Sequence, residues 1–358
     1  MLFPYVYVPH QMEKMQTFID FIFFEVWCKA PESRQYSLEL FEANPELHEV
    51  MTAFHFDDSK GAEFFSGHVE RIYGLFAALT PAQIDQFRLW YCANNDIERV
   101  CANDPTTSVA RYADFPVEFT DVRDQLKSFF KDLYSHLNLA ALKTKVGDID
   151  DHYNNAFWSE NQSGICPFCG IGHIKGPHHT KREAYDHYLP KSLYPFNSVN
   201  FRNLVPACHE CNSTYKKAND PVHNAAARRK AFYPYATVSV AIEIAVALGH
   251  ADIEKLTPDD IKFHFGPDAI GEAIDTWKDV YGIEERYKAE LCQKSRGRYW
   301  LQQVLDEWKE DGRAPIDHLG TLARQTKHDP YAECNFLKSA FLDGCKAKGI
   351  FDLAEPDA

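Results

Sequence analysis

The sequence has no apolar run long enough to cross a bilayer. Its longest candidate, Phe18 to Trp27, is broken by Asp20 and Glu25 and falls short of the roughly 20 residues a spanning helix needs. No membrane partner is therefore expected. The opening residues, MLFPYVYVPHQMEK, lack a basic segment and a small-residue cleavage site, which argues against a secretory leader and for a reducing cytoplasm. No internal repeat or low-complexity segment is present. Positive charge is scarce: 38 Lys and Arg face 52 Asp and Glu, a formal net charge of −14. A chain so acidic is not a general polyanion binder, so any nucleic-acid footprint must be local.

What is present fits a globular protein with 45% hydrophobic and 25% charged residues, and 358 residues allow two or three domains with a sizeable core. Residues 1–150 read as a helical N-terminal domain. Phe18, Ile19, Ile22, Phe23 and Val26 recur at helical spacing, as do Phe64, Phe65, Val69, Ile72, Leu75 and Phe76. Thr80-Pro81 is a helix start, and Val122, Leu126, Phe129, Phe130, Leu133 and Leu137 form the clearest apolar stripe. The aromatic density reads as core, and no chemical motif lies there. Residues 236–358 read as an α+β, mostly helical flank, with strands expected at Val238–Val246 and Ile261–Phe265.

Residues 151–235 carry the chemistry. Cys166 and Cys169 form one Cys-x-x-Cys pair, and after 38 intervening residues Cys208 and Cys211 form another. Four thiolates at that spacing suit one structural zinc ion, whose binding would order a stretch with little apolar core. Between the pairs, Ala184 to Leu189 reads as a strand stopped by Pro190 and contains Asp186-His187. By itself that pair also fits a solvated strand end. Asp151-His152, a second such pair, reads as surface. Residues 164–235 contain ten Lys and Arg against four Asp and Glu. This basic island includes Lys181, Arg182, Lys191, Arg202, Lys216 and Lys217, and we read Lys181, Arg182, Lys191, Lys216 and Lys217 as nucleic-acid-facing.

His187 is followed after 15 residues by Asn203, and after eight more by Asn212. With Asp-His-x-x-Pro around the histidine and Asn-Leu-x-Pro-x-Cys-x-x-Cys-Asn at the far end, residues 164–220 resemble HNH endonucleases in their H-N-N form. Lys216 stands four residues after Asn212, where three is more usual in that family. The resemblance implies an α+β protein, mainly helical, with a central ββα-metal core stabilised by the four-cysteine zinc site. It implies His187 as general base, Asp186 and Asn212 as ligands of Mg2+ or Mn2+, and Asn203 as the residue that pins the loop. It further implies phosphodiester hydrolysis, with double-stranded DNA as substrate. The long flanks suit a phage-defence effector working with an ATPase or other regulatory partner. The alternative is a zinc-ribbon protein that binds nucleic acid or a partner without catalysis.

Overall fold

The computed structural model describes residues 1–32 and 35–352. The chain is mostly helical, and two two-stranded antiparallel sheets occur among the described residues. The class is thus α+β. No described helix is long and apolar enough to cross a membrane. Chain contacts divide the residues into two units.

The first unit comprises Pro4–Gly164 and Ile174–Thr237. Its helices begin where local chemistry satisfies the first backbone N–H groups. Asn44 accepts from Leu47 N at 3.2 Å ahead of Pro45–His55, and Ser59 accepts from Ala62 N at 3.2 Å ahead of Lys60–Phe76. Thr80 and Gln83 cap each other reciprocally at the head of Pro81–Asn95, with Pro81 at the first position. Lys14–Phe21 runs on into a π-helical stretch, Ile22–Trp27. The stretch Ile22–Trp27 and helices Lys60–Phe76, Pro81–Asn95 and Thr120–Leu133 meet in an aromatic core of Phe23, Trp27, Phe76, Phe87, Phe129 and Phe130, all fully buried. Each such side chain contributes up to about 3 kcal/mol by leaving water.

The same unit holds a small sheet. Strand β1 (Tyr185–His187) pairs with β2 (Leu204–Pro206), Asp186 opposite Val205 and His187 opposite Leu204. A π-helical segment, Glu210–Lys216, follows. His152 is a correction, being buried rather than on the surface. Its Nδ1 meets the Tyr185 hydroxyl, and its ring packs on Phe201 and His10.

The second unit comprises Met1–Phe3, Ile165–His173 and the chain from Val238. Strands β3 (Glu243–Leu248) and β4 (Ile261–Gly266) pair over their full length. The strand expected from Val238 begins only at Glu243, because Glu243 is opposite Gly266 and the next residue is Pro267, which has no N–H for the ladder. Helix Asn335–Ala347 lies so close to β3 that a Cβ at Gly344 would stand 2.6 Å from the Val246 carbonyl oxygen. Also in this unit, the Cys166–Cys169 turn is tied down by its carbonyls. Trp277 Nε1 donates to Phe168 O at 2.6 Å, and the Tyr287 hydroxyl to Cys169 O at 2.8 Å.

Candidate active site and cysteine cluster

The sulfur atoms of Cys166, Cys169, Cys208 and Cys211 lie within 4.8 Å of one another, and all four residues are buried. A tetrahedron with metal–sulfur bonds of about 2.3 Å needs sulfurs about 3.8 Å apart, so the cluster fits a metal such as zinc. Local backbone supports that role. Gly170 N donates to Cys166 O at 2.8 Å, closing the turn, and Gly172 N donates to Cys169 Sγ at 3.3 Å. Gly170 has φ +69°, and a Cβ there would meet Leu2 at 2.4 Å, so glycine is required.

His187 ends β1. Its Nε2 lies 3.0 Å from the carbonyl oxygen of Ser198. A carbonyl only accepts, so Nε2 carries the proton and Nδ1 keeps its lone pair. Burial, and secondarily the Lys191 and Lys216 ammonium groups, push the imidazole pKa down to about 3. The ring is therefore neutral across ordinary pH, with Nδ1 unprotonated and free to accept a hydrogen bond. The ring of Tyr134 packs edge-on against it, centroids 4.9 Å apart, and Lys191 lies 5.7 Å over that tyrosine.

Asn203 is fully buried and makes the loop between β1 and β2 rigid. Its Oδ1 accepts from Leu189 N at 2.7 Å, and its Nδ2 donates to Leu189 O at 3.0 Å and to Asn197 O at 3.3 Å. The N-terminal helices complete this support. Asn94, at the end of Pro81–Asn95, donates to Pro195 O at 3.2 Å and accepts from Asn197 Nδ2 at its own carbonyl at 3.1 Å. Phe196 sits at φ +80°, a strained conformation for a residue with a Cβ. It is held there by the rings of Phe23, Tyr91 and Phe130.

Asp186 is almost wholly buried, its side chain 4% exposed. Its Oδ1 accepts from Lys216 Nζ at 2.9 Å, while its Oδ2 is buried and has no hydrogen-bond partner among the described residues. Burial raises the carboxyl pKa, and the Lys216 ammonium counters it. Lys216 departs from the sequence expectation. Its side chain is 0% exposed, and it also donates to His187 O at 2.9 Å. That burial removes it from any surface a nucleic acid could touch. The structure thus joins Asp186 and His187 through Lys216 as well as through the chain. Asn212, half-buried, lies in the Glu210–Lys216 segment.

The remaining cations differ in freedom. Lys181 and Lys217 are exposed. Arg182 is half-buried, paired with Asp150 and set over the Tyr185 ring. Lys191 is partly buried, and desolvation lowers its pKa. Sequence reasoning missed Asn94, Tyr134, Asn197 and the Ser198 carbonyl. A main-chain acceptor leaves no residue signature, and the two asparagines and the tyrosine belong to no motif.

No family model matches the chain, and no solved structure matches it. One stretch of 88 residues is 45% identical to Protein ea31 of Escherichia phage lambda, covering 24% of this chain and 26% of that protein. A stretch of 68 residues is 32% identical to Septu protein PtuB of Bacillus thuringiensis, covering 18% of this chain and 25% of that one. The aligned parts thus span about a quarter of each relative. The chain is a partial relative of both, and it carries a buried cysteine cluster suited to a metal.

Proposed function

We propose that this chain is a metal-dependent HNH endonuclease that hydrolyses phosphodiester bonds, with double-stranded DNA as substrate. The observation that carries the reading is His187: Nε2 is committed to Ser198 O, so Nδ1 is a fixed, neutral base at the end of β1. There it would accept the proton of a water molecule attacking the scissile phosphate. Asn203 keeps the loop, and hence the Ser198 carbonyl, in register with the imidazole. The unpartnered Oδ2 of Asp186 is an oxygen donor of the hard kind that Mg2+ or Mn2+ prefers, and Asn212 would supply a second. When bound there, such an ion would neutralise charge on the phosphate and on the leaving 3′ oxygen. Exposed Lys181 and Lys217, with Lys191 and Arg182 nearer the site, would hold the flanking phosphates.

We place the activity in phage defence, in the cytoplasm and under the control of an ATPase or similar partner. The HNH resemblance suggests this setting, and the partial likeness to a Septu protein supports it. The cysteine cluster alone would equally suit a non-catalytic zinc-ribbon binder, so cleavage must decide. Supercoiled plasmid is incubated with wild type and His187→Ala, in Mg2+, Mn2+ and EDTA, with and without a candidate ATPase. We expect cutting by wild type only, abolished by EDTA and strongest with the partner. Intact plasmid under every condition, with zinc bound and the protein folded, would sink the nuclease reading.

A further inference from the structure

Lys216 has no part in the chemistry just described, yet it is the most deeply buried cation at the site. Its ammonium is shared between one oxygen of Asp186 and the carbonyl of His187, each at 2.9 Å. The other oxygen of Asp186 is buried and unpartnered. The lysine therefore does two things at once. It fixes the rotation of the carboxylate so that one defined oxygen is left over. It also cancels the charge of that carboxylate.

The charge count matters for any cation bound at Oδ2. Asp186 and Lys216 sum to zero, and Asn212 brings no charge. No second carboxylate acts on Asp186 among the described residues. The charged group acting on Asp186 is Lys216. A divalent ion entering here would meet a neutral ligand set with an ammonium group beside it, in a water-poor setting where like charges repel strongly. A phosphodiester brings the missing negative charge.

We propose that Lys216 is a positioning residue that sets the order of assembly. It aims Asp186 Oδ2 while neutralising the carboxylate, so that the divalent cation binds weakly to the free protein and firmly only together with the phosphodiester of its substrate. This rests on the nuclease reading above. It adds that the free protein is kept idle by lack of bound cation, and that substrate itself completes the site.

Mn2+ binding is read directly from the electron paramagnetic resonance of the free ion, above neutral pH. The zinc-loaded full chain carries His187→Ala, so that a short DNA duplex stays uncut. The duplex alone provides the background. The duplex should tighten Mn2+ binding by about 5- to 150-fold, the usual span of coupling between two sites. Lys216→Met should bind Mn2+ more tightly than its parent without duplex, and should lose most of the duplex effect. Lys216→Arg, which keeps the charge, should retain that effect. If Lys216→Met does not fold, the parent and Lys216→Arg still decide. Firm Mn2+ binding that ignores the duplex but vanishes in Asp186→Asn would overturn this proposal and leave the nuclease reading standing. Mn2+ binding that is absent throughout, or indifferent to Asp186→Asn, would remove the cation site and both ideas with it.

Discussion

Strands β1 and β2 pair three residues each, whereas β3 and β4 pair six. The longer sheet follows the usual rule for a half-buried surface. Val246, Leu248 and Ile261 are buried, while Glu243, Ala245, Ala247, Lys262 and His264 are exposed. A six-pair ladder and an apolar face against helix Asn335–Ala347 suffice to hold it. The shorter sheet is buried almost throughout, and three pairs make a weak ladder. Side chains supply the rest. Asn203 grips Leu189 at both its N–H and its carbonyl, Lys216 bonds Asp186 and His187, and the Tyr235 hydroxyl donates to Leu204 O at 2.6 Å. Apolar burial is non-directional, so it stabilises a surface without fixing an atom. Directional polar bonds in a dry interior fix atoms, and the chemistry is proposed at the sheet that has them.

This contrast can be broken in three places. Cys211→Ser should have the largest effect, because a structural zinc site contributes on the order of 10 kcal/mol. Metal content should fall, and hydrogen exchange should show β1 and β2 losing protection while β3 and β4 keep theirs. Equal loss in both sheets would mean that they do not differ as argued. Asn203→Ala comes next. It strands the N–H and carbonyl of Leu189 in the core, at about 1–3 kcal/mol for each orphaned group. Urea denaturation should register that loss, and cleavage should vanish even at temperatures where the variant is folded. Retained cleavage would show that the loop needs no clamp. Val246→Ala should be the mildest, removing two methyl groups from β3 at about 0.8 kcal/mol each. It should lower stability by roughly that sum and leave cleavage unchanged. An altered cleavage rate would give the longer sheet a role it is not assigned here.

The cysteine pairs and the Asp186–His187 strand were legible because their ligands and partners lie close in sequence or at a fixed spacing. Thr80-Pro81 was legible for the same reason, since capping is local. Lys216 was not. A lysine among polar residues reads as surface, and what buries it is the π-helical path of Glu210–Lys216, in which Lys217 N bonds Asn212 O five residues back. That wider turn absorbs one extra residue, which is how a lysine four positions after Asn212 faces inward. No residue pattern announces a π turn. His152 was misread for a related reason: the aromatic groups that bury it, His10, Tyr185 and Phe201, are distant in sequence.

Phe196 carries a consequence for how portable this chemistry is. Its strained backbone bends the loop two residues before the carbonyl that orients His187, and the rings that hold the strain belong to Phe23, Tyr91 and Phe130. A fragment bounded at residues 151 and 235 would contain every motif residue and none of those three rings. The strained loop would then relax, and Ser198 would let go of the imidazole. In this protein the motif is therefore not a cassette. A graft into another scaffold would have to bring the aromatic buttress with it, or evolve a new one.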